Sequence, residues 1–485
     1  MFLLLPILSA ILGILAFLSY NLWFLGFIFL VPLFIFFIKE NRFWRLILGA
    51  FIFRFILMLG TVYYTLEPIA WLSSIGIFLG FPISIFVIKK GLNHQKTSQF
   101  IPLILNSQSL ILFLPFLWTF FDHLAARYSL LPGYIITAGN IFGSSPFLGL
   151  ATIDGLMFLT FFATLINVLI AVFILKIKSL NSSAEGGSAS RRRRGSPLAA
   201  SGKSSILNPL IIVIIVLAGW QISNSQLQKN AINYNNLKNS IKIAVISANE
   251  KFNWLSFNEI KNKLNGEKID FIIFPEDIFN NNIINSEKVY QDLAKNLDVD
   301  LVAAFDTIQN NKKYNSTVLF NNKGEIIDAR GKNRLTFAGE YWPFGNWRLF
   351  YFDWLAKDRP TIKNYAVFNP QSQYSRGEKN LLTIQQFNNG TILFASPICS
   401  EIQYQNDLKE YKKNGAKFIV NPASNRWIEI GTKHFLYLNN NLKKIEAVWL
   451  KTPIISSGVK DFAGITTPDG KTDLVDGIFF GEIRY

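Results

Sequence analysis

Residues 391–401 read TILFASPICSE: a run of Thr, Ile, Leu and Phe that favours a pleated strand, 391–395, enters a short loop holding Cys399, the single cysteine of the chain. A strand that hands a reactive side chain to the loop after it is how layered α/β folds place their chemistry. A lone cysteine forms no intramolecular disulfide and supplies no CxxC metal or redox motif, so any value it has is chemical. Only His94, His123 and His434 accompany it, and no HExxH occurs. Neither a zinc site nor any other metal or cofactor is expected. An isolated buried cysteine is usually inert, so its reading depends on what comes with it.

On either side of this strand the same pattern repeats. β-rich runs at 241–247, 270–274, 300–305, 316–320 and 417–420 alternate with helix-like segments such as 257–264 and 286–296, which implies an α/β layered fold. Two polar groups fall after such runs. Glu276 lies in Phe274-Pro275-Glu276-Asp277, and Lys332 lies in Gly331-Lys332-Asn333-Arg334, shortly before Gly339-Glu340-Tyr341-Trp342-Pro343. Each alone is ordinary: a carboxylate at a strand end is usually solvated or caps a helix, and a lysine is usually on the surface. Taken in order, Glu276, Lys332 and Cys399 form a complete set for thiol acyl chemistry. The thiol attacks a carbonyl, the carboxylate takes its proton and later deprotonates the incoming nucleophile, and the ammonium stabilises thiolate and oxyanion. A lysine beside the thiol is expected to lower its pKa, and a carboxylate against an apolar wall to exchange protons near neutral pH.

The first half of the 485 residues is built for another solvent. Residues 1–223 are dominated by Phe, Leu and Ile, and seven stretches, 3–19, 22–38, 44–61, 69–88, 104–121, 154–175 and 205–222, are apolar over about 20 residues, the length of a membrane span. The first has no basic segment before it and is followed at once by another, which predicts a retained signal-anchor helix. The formal charge of +16 does not point to nucleic acid, because no basic stripe with interleaved aromatics occurs. It follows topology instead. With the N-terminus in the cytoplasm, the inner connections hold Lys39, Arg42 and Arg45, then Lys89, Lys90 and Lys96, then Lys176, Lys178, the four arginines 191–194 and Lys203, against Arg127 alone outside. An odd number of spans delivers residues 224–485 to the outer face.

Within this half, 181–205 is small, polar and basic, and is expected to be a disordered cytoplasmic loop. The stretch 118–154 is too long and too apolar for a simple turn, and predicts a segment packed on the bilayer surface or on the second domain. His123 within it is read as structural rather than as a base.

The ordered set Glu276, Lys332, Cys399 after successive strands resembles the nitrilase superfamily, and its fusion to a hydrophobic bundle resembles the apolipoprotein N-acyltransferase family over nearly the whole chain. The residues that carry this are Phe274-Pro275-Glu276, Gly331-Lys332-Asn333-Arg334-Leu335, Gly339-Glu340-Tyr341-Trp342-Pro343 and Ile398-Cys399-Ser400-Glu401. Trp254 sits where the family has a substrate-facing tryptophan. The run 421–427, His434, Lys443-Lys444-Ile445-Glu446 and 464–470, near a closing hairpin, also match family elements. The chain departs at Ser400, where an aromatic residue is usual, at Phe337-Ala338 in place of Pro-Phe, and around Arg426, where a longer run is usual. A further closing span, usual in the family, does not occur before Tyr485.

The resemblance implies an N-terminal multi-span α-helical membrane bundle, 1–223, carrying a C-terminal α/β nitrilase-like domain, 224–485, folded as an α-β-β-α sandwich. It implies a bacterial cytoplasmic-membrane enzyme working at the extracytoplasmic face. Cys399 would take an acyl chain from a membrane phospholipid and pass it, as a thioester, to the α-amino group of a diacylglyceryl-cysteine at a lipoprotein N-terminus. Both substrates stay in the bilayer, which is reason enough for the membrane anchor. Glu340 is placed to orient Lys332, Glu401 to support Cys399, and Trp254, Tyr341 or Trp342 to keep water from the thioester. Two other readings stay open from residues alone: a membrane-tethered amidase with water as acceptor, and a silent homologue that binds lipoproteins.

Overall fold

The computed structural model describes residues 3–63, 68–94, 107–130, 133–185, 209–248, 258, 261–264, 266–278, 286–348, 350–358, 363, 365–370, 373–386, 390–428 and 431–485. These fall into two compact units, Met1–Ser129 with Ile136–Ser225, and Leu130–Ile135 with Gln226–Tyr485.

The first unit is helical: α1 (Leu4–Leu18), α2 (Val31–Lys39), α3 (Phe43–Thr61), α4 (Pro68–Phe78), α5 (Gly80–His94), α6 (Ser107–Tyr128) and α7 (Ala151–Glu185), with α8 (Pro209–Asn235) next in the chain. Among the described residues five helical stretches are long and apolar enough to cross a membrane: Tyr20–Lys39, Phe43–Thr61, Ala70–Gly91, Leu148–Ile177 and Pro209–Asn235. They lie on five of the seven predicted stretches. The other two differ: α1 is a shorter apolar helix of 15 residues, and 104–121 begins outside the described residues.

Polar groups inside this unit are there to satisfy one another. Where the 3-10 turn Tyr20–Phe27 meets α2, Asn167 of α7 receives Leu30 N–H at 2.8 Å and donates to Gly26 O at 2.8 Å, supplying backbone partners that lipid cannot. Lys89 donates to Phe37 O and Glu40 O at 2.7 Å each, closing the carbonyl end of α2. Arg54 of α3 and Asp122 of α6 pair at 3.0 Å, both 1% exposed. Trp118, one turn before Asp122, packs on Phe34, Phe53, Phe78 and Phe81.

Two expectations change here. The stretch 118–154 does not begin as a loop: α6 continues through Tyr128, with Asp122 on its buried face neutralised by Arg54. Beyond α6 the chain makes three short 3-10 turns, Tyr134–Ile136, Ala138–Ser144 and Leu148–Leu150, themselves buried. Gly139 lies so close to α7 that an added Cβ would meet Leu156 O and Thr160 N at 2.7 Å. Of the predicted loop 181–205, residues 181–185 belong to α7, which runs to Glu185; 186–205 lie outside the described residues.

The second unit is a sandwich. One sheet has the order β12-β1-β2-β3-β4-β5, built from β1 (Ser240–Ile246), β2 (Phe271–Glu276), β3 (Asp300–Gln309), β4 (Lys312–Phe320), β5 (Ile326–Gly331) and β12 (Ile478–Arg484). The other has the order β11-β10-β9-β8, from β8 (Ile419–Ser424), β9 (Ile454–Val459), β10 (Ala463–Thr466) and β11 (Thr472–Val475). A hairpin, β6 (Leu382–Gln386) and β7 (Gly390–Phe394), leads to the cysteine.

Period-two alternation builds the layers. Ile241, Ile243 and Val245 point one way from β1, into a core shared with Phe271, Ile273, Phe418, Val420 and Ile455, where the sheets meet. Ala244 and Ile246 point the other way, onto α9 (Ser286–Leu297) through Tyr290, Leu293 and Ala294. A short helix, α10 (Phe350–Asp358), lies between β5 and β6 in the chain. On the far side α11 (Gln405–Lys413) and α12 (Thr432–Leu450) cover the second sheet through Leu408, Tyr411, Ala447 and Leu450. Helix, sheet, sheet and helix stack in that order, as expected. Each fully buried Ile, Leu, Val or Phe of these layers contributes about 1.5–3 kcal/mol.

Candidate active site

Glu276 is the last residue of β2, beside a register shift in the β2–β3 pairing between Ile273 and Glu276. Such an irregularity re-aims the side chain at a strand end. Its carboxylate accepts Asn315 Nδ2 at 2.6 Å and the Ser424 backbone N–H at 2.8 Å. Asn315 stands on β4 and Ser424 ends β8, so both sheets hold this one group.

Lys332 follows Gly331, the end of β5, and its own N–H donates to Asn315 O at 2.7 Å. It is 1% exposed, with Nζ 2.9 Å from Glu340 and 4.0 Å from Glu276 Oε1. Asn315 Nδ2 also reaches Glu340 Oε1 at 2.9 Å, bridging the two carboxylates. Glu340 is fixed by Thr336 N–H at 2.7 Å. Burial alone would lower the lysine; Glu340 and Glu276 outweigh it and hold the ammonium firmly protonated.

Cys399, half-buried, opens the 3-10 turn Cys399–Gln403 with φ 49°, the left-handed region that costs a side chain about 1 kcal/mol or more. The strain is held from outside. Asn421 Nδ2 donates to Pro397 O at 2.8 Å and Cys399 O at 3.1 Å. Glu401 receives N–H groups from Ile398, Asn333 and Arg334 at 2.8, 2.7 and 3.0 Å, and a two-pronged Arg330 at 2.8 and 3.0 Å. One buried carboxylate thereby ties the cysteine loop to the lysine segment. Arg330 completes the tie through Ser396 O at 2.8 Å and the Tyr411 hydroxyl at 2.7 Å.

Burial pushes Glu276 up to about 7, with Glu340 adding and Lys332 opposing. Burial and the Glu276 charge push the Cys399 thiol up to about 12, against Lys332 and the Ser424 N–H. The expected lowering by lysine is present but outweighed, because the neighbouring carboxylate and the dry setting both disfavour a thiolate. The resting thiol is therefore neutral, with the Glu276 carboxyl among the charges it feels.

The four groups Glu276, Lys332, Glu340 and Cys399 come together at strand ends. Glu401 sits beneath them, buried. Tyr341 is half-buried on the same loop as Glu340, and Ser400 Oγ lies 3.4 Å from Thr336 Oγ1. Trp254 lies outside the described residues. His123 belongs to the helical unit. Sequence reading missed Asn315 and Arg330; the one signal each carried was a polar side chain within a strand run. Among the described residues no cluster of three His, Cys, Asp or Glu fit for a metal ion occurs.

Two families match separate stretches of the chain. Residues 9–169 match the apolipoprotein N-acyltransferase N-terminal domain, and residues 258–442 match the carbon-nitrogen hydrolase family. No curated protein matches the chain. Solved structures similar to it include the Caenorhabditis elegans NitFhit protein, 14% identical with a TM-score of 0.38, covering 51% of this chain and 61% of that one. A Saccharomyces cerevisiae member of branch 10 of the nitrilase superfamily is 16% identical, TM-score 0.35, covering 51% and 91%. A Helicobacter pylori carbon-nitrogen hydrolase is 12% identical, TM-score 0.36, covering 50% and 89%. With the acyltransferase membrane domain and the hydrolase domain joined in one polypeptide, the chain belongs to the apolipoprotein N-acyltransferase family.

Proposed function

We propose that the chain is an N-acyltransferase that moves an acyl group from a membrane phospholipid to the α-amino group of a diacylglyceryl-lipoprotein through a thioester on Cys399. The observation that carries this reading is the meeting of Glu276, Lys332 and Cys399 in one polypeptide with the acyltransferase membrane domain. In the first half-reaction Sγ attacks the ester carbonyl while Glu276 accepts the thiol proton. Lys332 offsets the oxyanion charge, the ester C–O bond breaks, and Glu276 returns the proton to the departing lysophospholipid oxygen. In the second, the amine attacks the thioester, Glu276 takes a proton from nitrogen, the C–S bond breaks, and Glu276 passes that proton to Sγ to restore the thiol. The two substrates use the site in turn, a ping-pong sequence. Glu340 holds Lys332, and Glu401 holds the loop of Cys399.

Residues 1–223 anchor the enzyme in the cytoplasmic membrane and residues 224–485 work at its extracytoplasmic face, a placement supported by the basic inner connections. The test is mass spectrometry of the full chain in phospholipid vesicles. An acyl adduct on Cys399 is expected in the wild type, absent in Cys399→Ala, and discharged by a diacylglyceryl peptide with a free amine. Acylation of that peptide by Cys399→Ala at the wild-type rate overturns the reading.

A further inference from the structure

The segment 373–377 is laced onto the site by its backbone. Tyr374 N–H donates to Glu340 O at 3.1 Å, Ser375 N–H to Lys313 O at 2.7 Å, and Gly377 N–H to Lys332 O at 2.9 Å. Asn333 Nδ2 returns a bond to Gly377 O at 2.7 Å. Gly377 is pressed so near Gly331 that an added Cβ would lie 2.2 Å from Gly331 O. Arg376 is therefore held between two residues pinned to the backbones of Lys313 and Lys332. Its guanidinium lies over the ring of Tyr341, 5.6 Å from the centroid, and the side chain is exposed.

Several other cations of this unit are already paired. Lys313 pairs with Asp306 at 2.8 Å, Arg334 with Asp407 at 2.8 Å, Arg348 with Asp353 at 2.8 Å and Lys379 with Asp407 at 2.7 Å. Among the described residues no carboxylate lies within ion-pair distance of Arg376. A guanidinium held over an aromatic ring gives up rotamer freedom while keeping N–H groups for an anion, and its fork matches two oxygens of a phosphate.

We propose that Arg376 is the anion contact of this site and takes the phosphate of the acyl donor, a reading that rests on the acyltransferase function. The contact orients the donor and takes no part in bond making: the thioester forms and the ester bond breaks through Cys399, Glu276 and Lys332.

The experiment compares two donors on the full chain in detergent micelles: phosphatidylethanolamine, and a p-nitrophenyl ester of the same fatty acid, which has no phosphate. Thioester formation is followed by mass and by p-nitrophenolate release. Arg376→Gln, with Arg376→Ala beside it, is expected to slow acylation from the phospholipid by roughly tenfold or more, the loss of one charged hydrogen-bonded contact, and to leave the p-nitrophenyl ester within about twofold. Inorganic phosphate at constant ionic strength separates free anion from headgroup: slowing of the wild type but not of Arg376→Gln extends the site to phosphate itself, and no effect on either restricts it to the lipid. Equal losses with both donors, or no loss with either, overturn the proposal. A wild type that forms no thioester with either donor overturns the acyltransferase reading instead.

Discussion

On the proposed mechanism Glu276 sets the pH response, because it is the group that must be ionised when the thiol gives up its proton. With its carboxyl raised to about 7, mainly by burial, the charged form is lost on acidification from neutrality rather than near an ordinary carboxylate value. The rate of Cys399 acylation should fall about tenfold per pH unit below about pH 7. Glu276→Gln should remove that limb and lower the rate by about 10²–10⁴-fold, read from thioester accumulation across pH. An acid limb centred near about pH 4.5, as for a free glutamate, would show that the desolvated setting does not govern the base. Residues of this kind were legible in the sequence: a carboxylate, a lysine and a lone cysteine, each after a strand run, have one chemistry in common. Asn315 was not, because its role depends on register. Only the pairing of Ser316 with Gly331 puts it beside the segment that starts at Lys332. Arg330 was equally hidden, since its partner Glu401 lies 71 residues away.

At the level of elements, helix α12 carries a buried acid outside the site. Glu446 is fully buried and accepts Gln405 Nε2 at 2.6 Å; burial raises its carboxyl to about 8 from an ordinary 4.5, against that one hydrogen bond. The folded chain holds this proton more tightly than the unfolded chain. The associated stability is therefore complete below about pH 4.5 and is lost as pH rises through about 8. Glu446→Gln should flatten this dependence: thermal midpoints of wild type and variant converge near pH 5, and the variant is higher by several degrees at pH 8. Parallel curves would place the titration elsewhere. Elements themselves were read well where pattern and pairing agree. The run 286–296 is helix Ser286–Leu297, and 300–305 opens β3. The run 417–420 was displaced, because β8 continues to Ser424 through Pro422. A proline ends most strands, but β8 is the last of its sheet's order, where a missing N–H is tolerated.

For the whole molecule, the prediction concerns sidedness. With Cys399→Ala as a cysteine-free background, a cysteine at Lys238 should react with a membrane-impermeant maleimide in intact cells, and one at Ser190 only after lysis. The reverse pattern would turn the bundle over, against every basic inner connection. The two-part architecture was legible because hydrophobic length and strand alternation are local signals. How α6 stays helical through Asp122 was not, since the compensating charge lies 68 residues earlier.

That separation has a consequence for biogenesis. Arg54 emerges from the ribosome well before Asp122, and a solitary guanidinium midway along a span costs about 2.5–3.5 kcal/mol to leave among acyl chains. The apolar residues around it offset that cost, and pairing with the sixth helix removes it, so the two segments are most stable in the bilayer together.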